Sequence, residues 1–287
     1  VPEGPEVKII SNVFHDIRNK KVQEAVIIEN VPGTHHRYSR QKPNNWDIIT
    51  KPFYPKDVRT KGKLISLNIC QDNYDTERHW TLLFTLGMSG DFQRNAITHK
   101  HCRYAFKFED GTDLSFIDTR CFGTIRIVKP SEAAKLEKKI GWDLLEAPMP
   151  DDDWHKLKLS SKISPLEVGD ALLEQRHFSS IGNIYRAEIL YRAGINPQTP
   201  IMLLTADQWK SINYTAHQLL QDAYKLNGCS VADFTANGKE GQAQQLLMVY
   251  GREKCPKGHQ IITIPQSGRT MHFCAKCQPV VSSWVAG

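Results

Sequence analysis

The clearest chemical spacing in this 287-residue chain lies near its C-terminal end: Cys255-x3-His259, fourteen residues, then Cys274-x2-Cys277. Each pair fits on one tight turn, and thiolate and imidazole ligands so spaced close tetrahedrally on zinc if the intervening segment folds back. Ile261–Ile264 and Thr270–Phe273, separated by Gln266-Ser267-Gly268, offer the two strands of that hairpin. Four ligands leave no open position, so one structural Zn2+ is expected. The bland alternative is a metal-free set of buried residues, but a spaced quartet is rarer in cores than a lone cysteine. Arg269 would project near the hairpin tip, as a phosphate or groove reader or as a surface salt bridge. His101 has no partner at ligand spacing and reads as a surface or hydrogen-bonded histidine.

The opposite end, Val1-Pro2-Glu3-Gly4-Pro5-Glu6, sets a rigid imino acid against an acid. A free proline amine is a good nucleophile. The bland reading is helix initiation, with Pro in the first turn and Glu complementing the dipole.

These groups need elements to position them. Val7, Ile10, Val13, Phe14 and Ile17 recur at helical spacing. From about Val22 to Val128 the pattern becomes short alternating runs, Val22–Ile28, Leu64–Cys70, Trp80–Leu86, Cys102–Phe108, Asp113–Ile117 and Gly123–Val128, which predict an antiparallel sandwich or barrel. Glu109-Asp110-Gly111-Thr112 predicts a hairpin turn. Residues 129 to 164 read as a helix-containing linker. Gly182–Ala193 and Asp207–Asn227 are predicted helices, the second stopped by Gly228. The net charge of +6 is mild but locally concentrated, as in Arg18-Asn19-Lys20-Lys21, and suits either a polyanionic partner or a solvated surface. Seven cysteines, three of them clustered, look unlike a secreted disulfide framework. With no apolar run near ~20 residues and no signal pattern, an intracellular protein is expected, nuclear or cytoplasmic.

Taken in order, Pro2-Glu3-Gly4-Pro5-Glu6, Lys61-Gly62-Lys63, Leu86-Gly87-Met88-Ser89-Gly90, Asp118-Thr119-Arg120-Cys121-Phe122-Gly123, Ile181-Gly182-Asn183-Ile184-Tyr185 and Gly268-Arg269-Thr270 resemble the motifs of the formamidopyrimidine-DNA glycosylase/endonuclease VIII family. The resemblance spans nearly the whole chain. Glu3-Gly4-Pro5 and the Cys, His, Cys, Cys ligand set look like the endonuclease VIII branch, which prefers oxidised pyrimidines.

The resemblance implies an α+β fold: an N-terminal antiparallel β-sandwich flanked by helices (1–130), a linker (131–164), a helix-two-turn-helix domain (165–245) and a zinc finger (246–287), with damaged DNA crossing the cleft. It implies a monomeric base-excision repair enzyme, a DNA glycosylase and abasic-site lyase working through a Schiff base and β,δ-elimination. Pro2 would be the nucleophile and Glu3 the proton donor. Lys63, at the family's β-strand lysine position, would hold the phosphate beside the lesion. Met88, Arg120 and Phe122 match the void-filling positions; for Met88 and Phe122 the alternative is core packing. Asn183 and Arg269 take the phosphate-clamp positions, with helix capping the alternative for Asn183. Because an acylated proline nitrogen has no lone pair, Val1 is expected either to be removed or to leave an inactive or weakly active form. The competing classes are a non-catalytic damaged-DNA binder of the same fold and, last, a zinc-hairpin RNA-binding protein.

Overall fold

Gly4, Pro5 and Glu6 open helix α1 (Gly4–Ser11) through a capping box: the side chains of Glu3 and Glu6 each accept the other residue's backbone N–H. The computed structural model describes residues 2–28, 42–71, 79–230, 238 and 240–280, so Val1 lies outside the described residues. Two units are resolved, one built from residues 1–139 and 226–242, the other from 140–225 and 243–287.

In the first unit α1 is followed by β1 (Val22–Ile27), α2 (Trp46–Ile49), β2 (Tyr54–Lys61), β3 (Leu64–Cys70), β4 (His79–Thr85), β5 (Gly90–Arg94), β6 (Cys102–Phe108), β7 (Asp113–Asp118), β8 (Thr124–Val128) and α3 (Pro130–Glu137). Two four-stranded antiparallel sheets form, ordered β1-β6-β7-β5 and β2-β3-β4-β8. Apolar rings from both sheets and from the segment after α1 meet in the core. Phe84 on β4 lies 5.2 Å from Phe92 on β5, and Phe14 contacts both rings. Burial of one such side chain is worth ~1.5–3 kcal/mol, so this cluster is what fastens the sheets together. Gly111, at φ +81, makes the β6–β7 turn as the Asp-Gly pattern predicts.

Two strands were not legible from alternation. β2 carries Pro55, Asp57 and Arg59, and β5 begins at Gly90. Both are recruited by neighbours, β2 by β3 and β5 by β7, which is tertiary pairing overriding local pattern.

The second unit contains β9 (Trp142–Asp143), α4 (Asp151–Leu159), α5 (Val168–Ala171), β10 (Phe178–Ser179), α6 (Asn183–Ala193), α7 (Ala206–Lys225), β11 (Ile262–Gln266) and β12 (Arg269–Phe273). Trp154 on α4 and Trp209 on α7 stack at 4.2 Å, and each indole N–H donates to the other's backbone carbonyl, at 2.7 and 2.8 Å. Within the segment expected as a linker, α3 packs against β3 and β4, and α4 packs against α7. The return of residues 226–242 to the first unit has no counterpart in the sequence partition.

Candidate functional site

Pro2 and Glu3 are buried at the start of α1, and the capping box holds the Glu3 carboxylate at the helix N-terminus. The helix-start reading therefore holds for Glu3, the N-cap, but not for Pro2, which precedes the cap while Pro5 takes the first turn; the cap sets an acid next to the imino nitrogen. Glu6, to which the sequence reading gave no role, turns its other oxygen to the backbone N–H of Cys229 at 2.8 Å, tying α1 to the returning segment. Its signal was present as an acid three residues after an N-cap acid.

Lys63 is not on a strand, contrary to the expectation. With Gly62 it makes the two-residue turn between β2 and β3, closed by the Lys61–Leu64 pair. Gly62 has φ +59, as a hairpin turn led by glycine requires. The lysine is half-buried at that turn, and α1 packs against both strands that carry it.

Met88, Arg120 and Phe122 come together on two loops, Leu86–Gly90 and Asp118–Gly123. Met88 is 37% exposed and Phe122 52%, which rules out core packing for both. The Arg120 guanidinium lies 3.7 Å from the Met88 sulfur. One carboxylate organises this presentation. Asp118, only 1% exposed, accepts from the Ser89 hydroxyl (2.6 Å) and from the backbone N–H groups of Gly123 (2.7 Å) and Arg120 (3.2 Å). Ser89 Oγ in turn accepts from the Arg120 N–H at 2.9 Å. The loops also touch backbone to backbone: a Cβ on Gly87, at φ +60, would sit 2.5 Å from the Phe122 carbonyl carbon. Asp118 stands within the Asp118-Thr119-Arg120-Cys121-Phe122-Gly123 motif, where no local pattern marks it as the anchor of the loops that carry Met88, Arg120 and Phe122.

In the second unit Asn183 is the first helical residue of α6, not its cap; Gly182 is the N-cap. The Asn183 amide donates to the Thr270 carbonyl on β12 at 3.0 Å, while its oxygen accepts from Arg186 Nε and Nη2. Arg186 is fully buried and also donates to the carbonyls of Gly169 and Gln266, so α6, α5 and the hairpin share one guanidinium. Arg269 begins β12 beside a two-residue Ser267-Gly268 turn in which both φ angles are positive. It is exposed and, among the described residues, has no ion-pair partner, so the salt-bridge alternative fails there.

Cys255, His259, Cys274 and Cys277 converge, with all four ligand atoms within 4.8 Å of one another. Cys255 and Cys277 sulfurs are 3.9 Å apart, and His259 Nδ1 lies 3.3 Å from Cys277 Sγ and 3.8 Å from Cys274 Sγ. Two sulfurs on a tetrahedral zinc with ~2.3 Å bonds stand about 3.8 Å apart, so the donor set fits that ion both in chemistry and in spacing. Burial raises the Cys255 thiol, but the His259 and Lys257 backbone amides, with Tyr191 and Cys274, more than reverse this and hold it at about 7. Burial and the Cys255 and Cys277 sulfurs push the Tyr191 phenol well above its ordinary value, so it remains a proton donor. Among the described residues no other His, Cys, Asp and Glu group of this kind occurs, and no helix is long and apolar enough to cross a membrane.

Residues 1–125 match the formamidopyrimidine-DNA glycosylase N-terminal domain, and residues 146–235 match the formamidopyrimidine-DNA glycosylase H2TH domain. A formamidopyrimidine-DNA glycosylase of Gluconobacter oxydans is 32% identical, the match covering 97% of this chain and all of the relative. One from Wolbachia pipientis of Culex pipiens is 29% identical with the same coverage. Among solved structures, a Lactococcus lactis FPG variant with Fapy-dG-containing DNA superposes with a TM-score of 0.82 at 26% identity. MutM with carbocyclic 8-oxo-G-containing DNA gives 0.81 at 26%. Both cover 97% of this chain and all of theirs.

Proposed function

The chain belongs to the formamidopyrimidine-DNA glycosylase family, and on that premise we propose that it is a base-excision repair DNA glycosylase with abasic-site lyase activity on damaged DNA. The observation that carries this reading is the exposed Met88, Arg120 and Phe122 set, gripped from below by Asp118. A protein does not spend a buried carboxylate and a left-handed glycine on holding apolar side chains in water without a surface for them to enter. A duplex opened by base flipping is such a surface: the methionine and phenylalanine wedge the stack, and the guanidinium donates to the orphaned base.

In the proposed chemistry the free secondary amine of Pro2 attacks C1′ of the damaged nucleoside. The glycosidic electron pair leaves with the base, which takes up a proton, while Glu3 protonates the sugar ring oxygen as the ring opens. The resulting iminium withdraws electrons from C2′. Loss of the C2′ proton then expels the 3′ phosphate, and a second elimination releases the 5′ phosphate. An α-amino nitrogen suits the task, with a reference pKa of about 8 against about 10.4 for lysine. Lys63 holds the phosphate beside the lesion; Asn183 and Arg269 hold the backbone from the second unit. Zn2+ on Cys255, His259, Cys274 and Cys277 would supply a structural staple for the hairpin and no reacting group. Preference for oxidised pyrimidines is proposed from Glu3-Gly4-Pro5 and the Cys, His, Cys, Cys set.

Borohydride trapping tests the mechanism. A chain with a free Pro2 nitrogen is expected to crosslink to abasic DNA; absence of the adduct, with DNA binding intact, would leave the non-catalytic binder standing. A lesion panel of oxidised pyrimidines and purines, in duplex and single-stranded DNA, tests the branch.

A further inference from the structure

Lys61-Gly62-Lys63 carries two lysines, and only the second has a place in the proposed chemistry. The strand register sets them apart. Lys61 closes the β2–β3 pair opposite Leu64, whereas Lys63 stands in the turn itself. The Lys61 ammonium, part-buried, donates at 3.3 Å to the carbonyl of Glu137, the last residue of α3. On the other side of the turn, Leu64 packs together with Leu136 of α3 against a small core of Leu83, Val128 and Ala133. The chain is thus held to α3 both before and after Gly62-Lys63, by a charge on one side and an apolar side chain on the other.

The end of a helix is a natural seat for a cation, because the carbonyls of its last turn lack partners within the helix and carry the negative end of the dipole. The turn has need of such a brace. Gly62, at φ +59, gives it little stiffness of its own, while α1, which Glu3 caps, packs against the same two strands. We propose that Lys61 is a positioning residue for base excision: bound to the end of α3, it fixes the β2–β3 turn so that Lys63 meets the phosphate, and it makes no phosphate contact itself. The inference rests on the reading of Lys63 given above and adds to it the group that holds Lys63 in place.

A double-mutant cycle on the full chain, its Pro2 nitrogen free, tests this by single-turnover excision from damaged duplex DNA and by affinity for abasic DNA across a salt series. Lys61→Met keeps the aliphatic stem and loses the donors. It is expected to slow excision about tenfold alone, as small misplacements of a positioned group do, and less than about twofold in a Lys63→Met background, where nothing is left to position. In that background the salt slope should not move. Lys61→Arg, which can still donate to the carbonyl, is expected to restore the rate. An equal loss in both backgrounds, with a slope lower by about 1, would overturn the proposal and make Lys61 a phosphate contact. Unchanged excision in Lys61→Met would overturn it as well. If Lys63→Met itself excises at the parent rate, the reading of Lys63 falls and takes the proposal with it, an outcome distinct from the other two. Should Lys61→Met not fold, Lys61→Gln, polar but one bond shorter, takes its place in the cycle.

Discussion

The molecule holds exposed side chains on a pair of loops in the first unit and on a hairpin in the second, and it braces the two by different means. The paired loops Leu86–Gly90 and Asp118–Gly123 stand on the sandwich, where Phe116 and Phe92 pack at 5.0 Å beneath them. A buried carboxylate and close backbone contact then suffice, since a core already carries the load. The β11–β12 hairpin has two strands and buries little beyond Met271, Phe273 and Gln266. A two-stranded ribbon is marginal by itself. Its bracing comes from the Cys255, His259, Cys274 and Cys277 cluster at its base, which fits a metal, from Arg186 of α6, which donates to the Gln266 carbonyl, and from Gln278, which donates to Ile195 just past that helix. Where a loop rests on a core, polar anchoring serves; where it does not, a cross-link is needed.

The largest expected effect separates the two directly. Apparent binding energies of structural zinc reach ~10–16 kcal/mol in small zinc-finger peptides, more than a ribbon of this kind can supply. Chelation, or Cys274→Ser, is therefore expected to abolish amide-exchange protection over 262–273 while leaving protection in β4 and β7 intact. If both regions lose protection together, the bracing is shared and the contrast is wrong.

Asp118→Ala reverses the experiment. It strips the acceptor from the Ser89 hydroxyl and the Gly123 amide, each worth ~1–3 kcal/mol when left unpaired in the interior, while the Arg120 amide keeps Ser89 Oγ. With part of the loop rehydrated, a loss of about 3 kcal/mol in urea unfolding is expected, and bound zinc should stay stoichiometric. Gly87→Ala is smaller: the left-handed backbone and the contact with Phe122 predict a cost of about 1–3 kcal/mol in the same assay, with zinc content again unchanged.

Removing the presented groups should leave both braces intact. Phe122→Ala is expected to change stability by less than about 0.5 kcal/mol, because the ring is half exposed. Single-turnover base excision should nonetheless slow roughly tenfold, since a wedge offsets part of the few kcal/mol of unstacking. The smallest change is expected for Arg269→Ala, read as a salt slope of DNA affinity lower by about 1, the signature of one lost phosphate contact. An unaltered slope would remove Arg269 from the interface.

Much of this was legible in the sequence because it depends on short-range rules. Six predicted strands fall within two residues of the observed ones, and α6 and α7 begin within one residue of their predicted starts. The metal quartet could be read because ligand chemistry demands close pairs on turns. Arg269 could be placed by the turn residues beside it. Lys63 was misplaced onto a strand because Lys61-Gly62-Lys63 marks a turn only once the register of β2 against β3 is known.

By itself, then, the sequence determined the periodicities, the turns and the ligand spacing, all set by backbone geometry and coordination within a few residues. Only the tertiary structure decided that Met88 and Phe122 face outward, that Asp118 and Arg186 are buried anchors and that Glu6 reaches Cys229. The reason is physical. Whether a methionine or an arginine is buried depends on what chain distant in sequence covers it, and no local pattern carries that information.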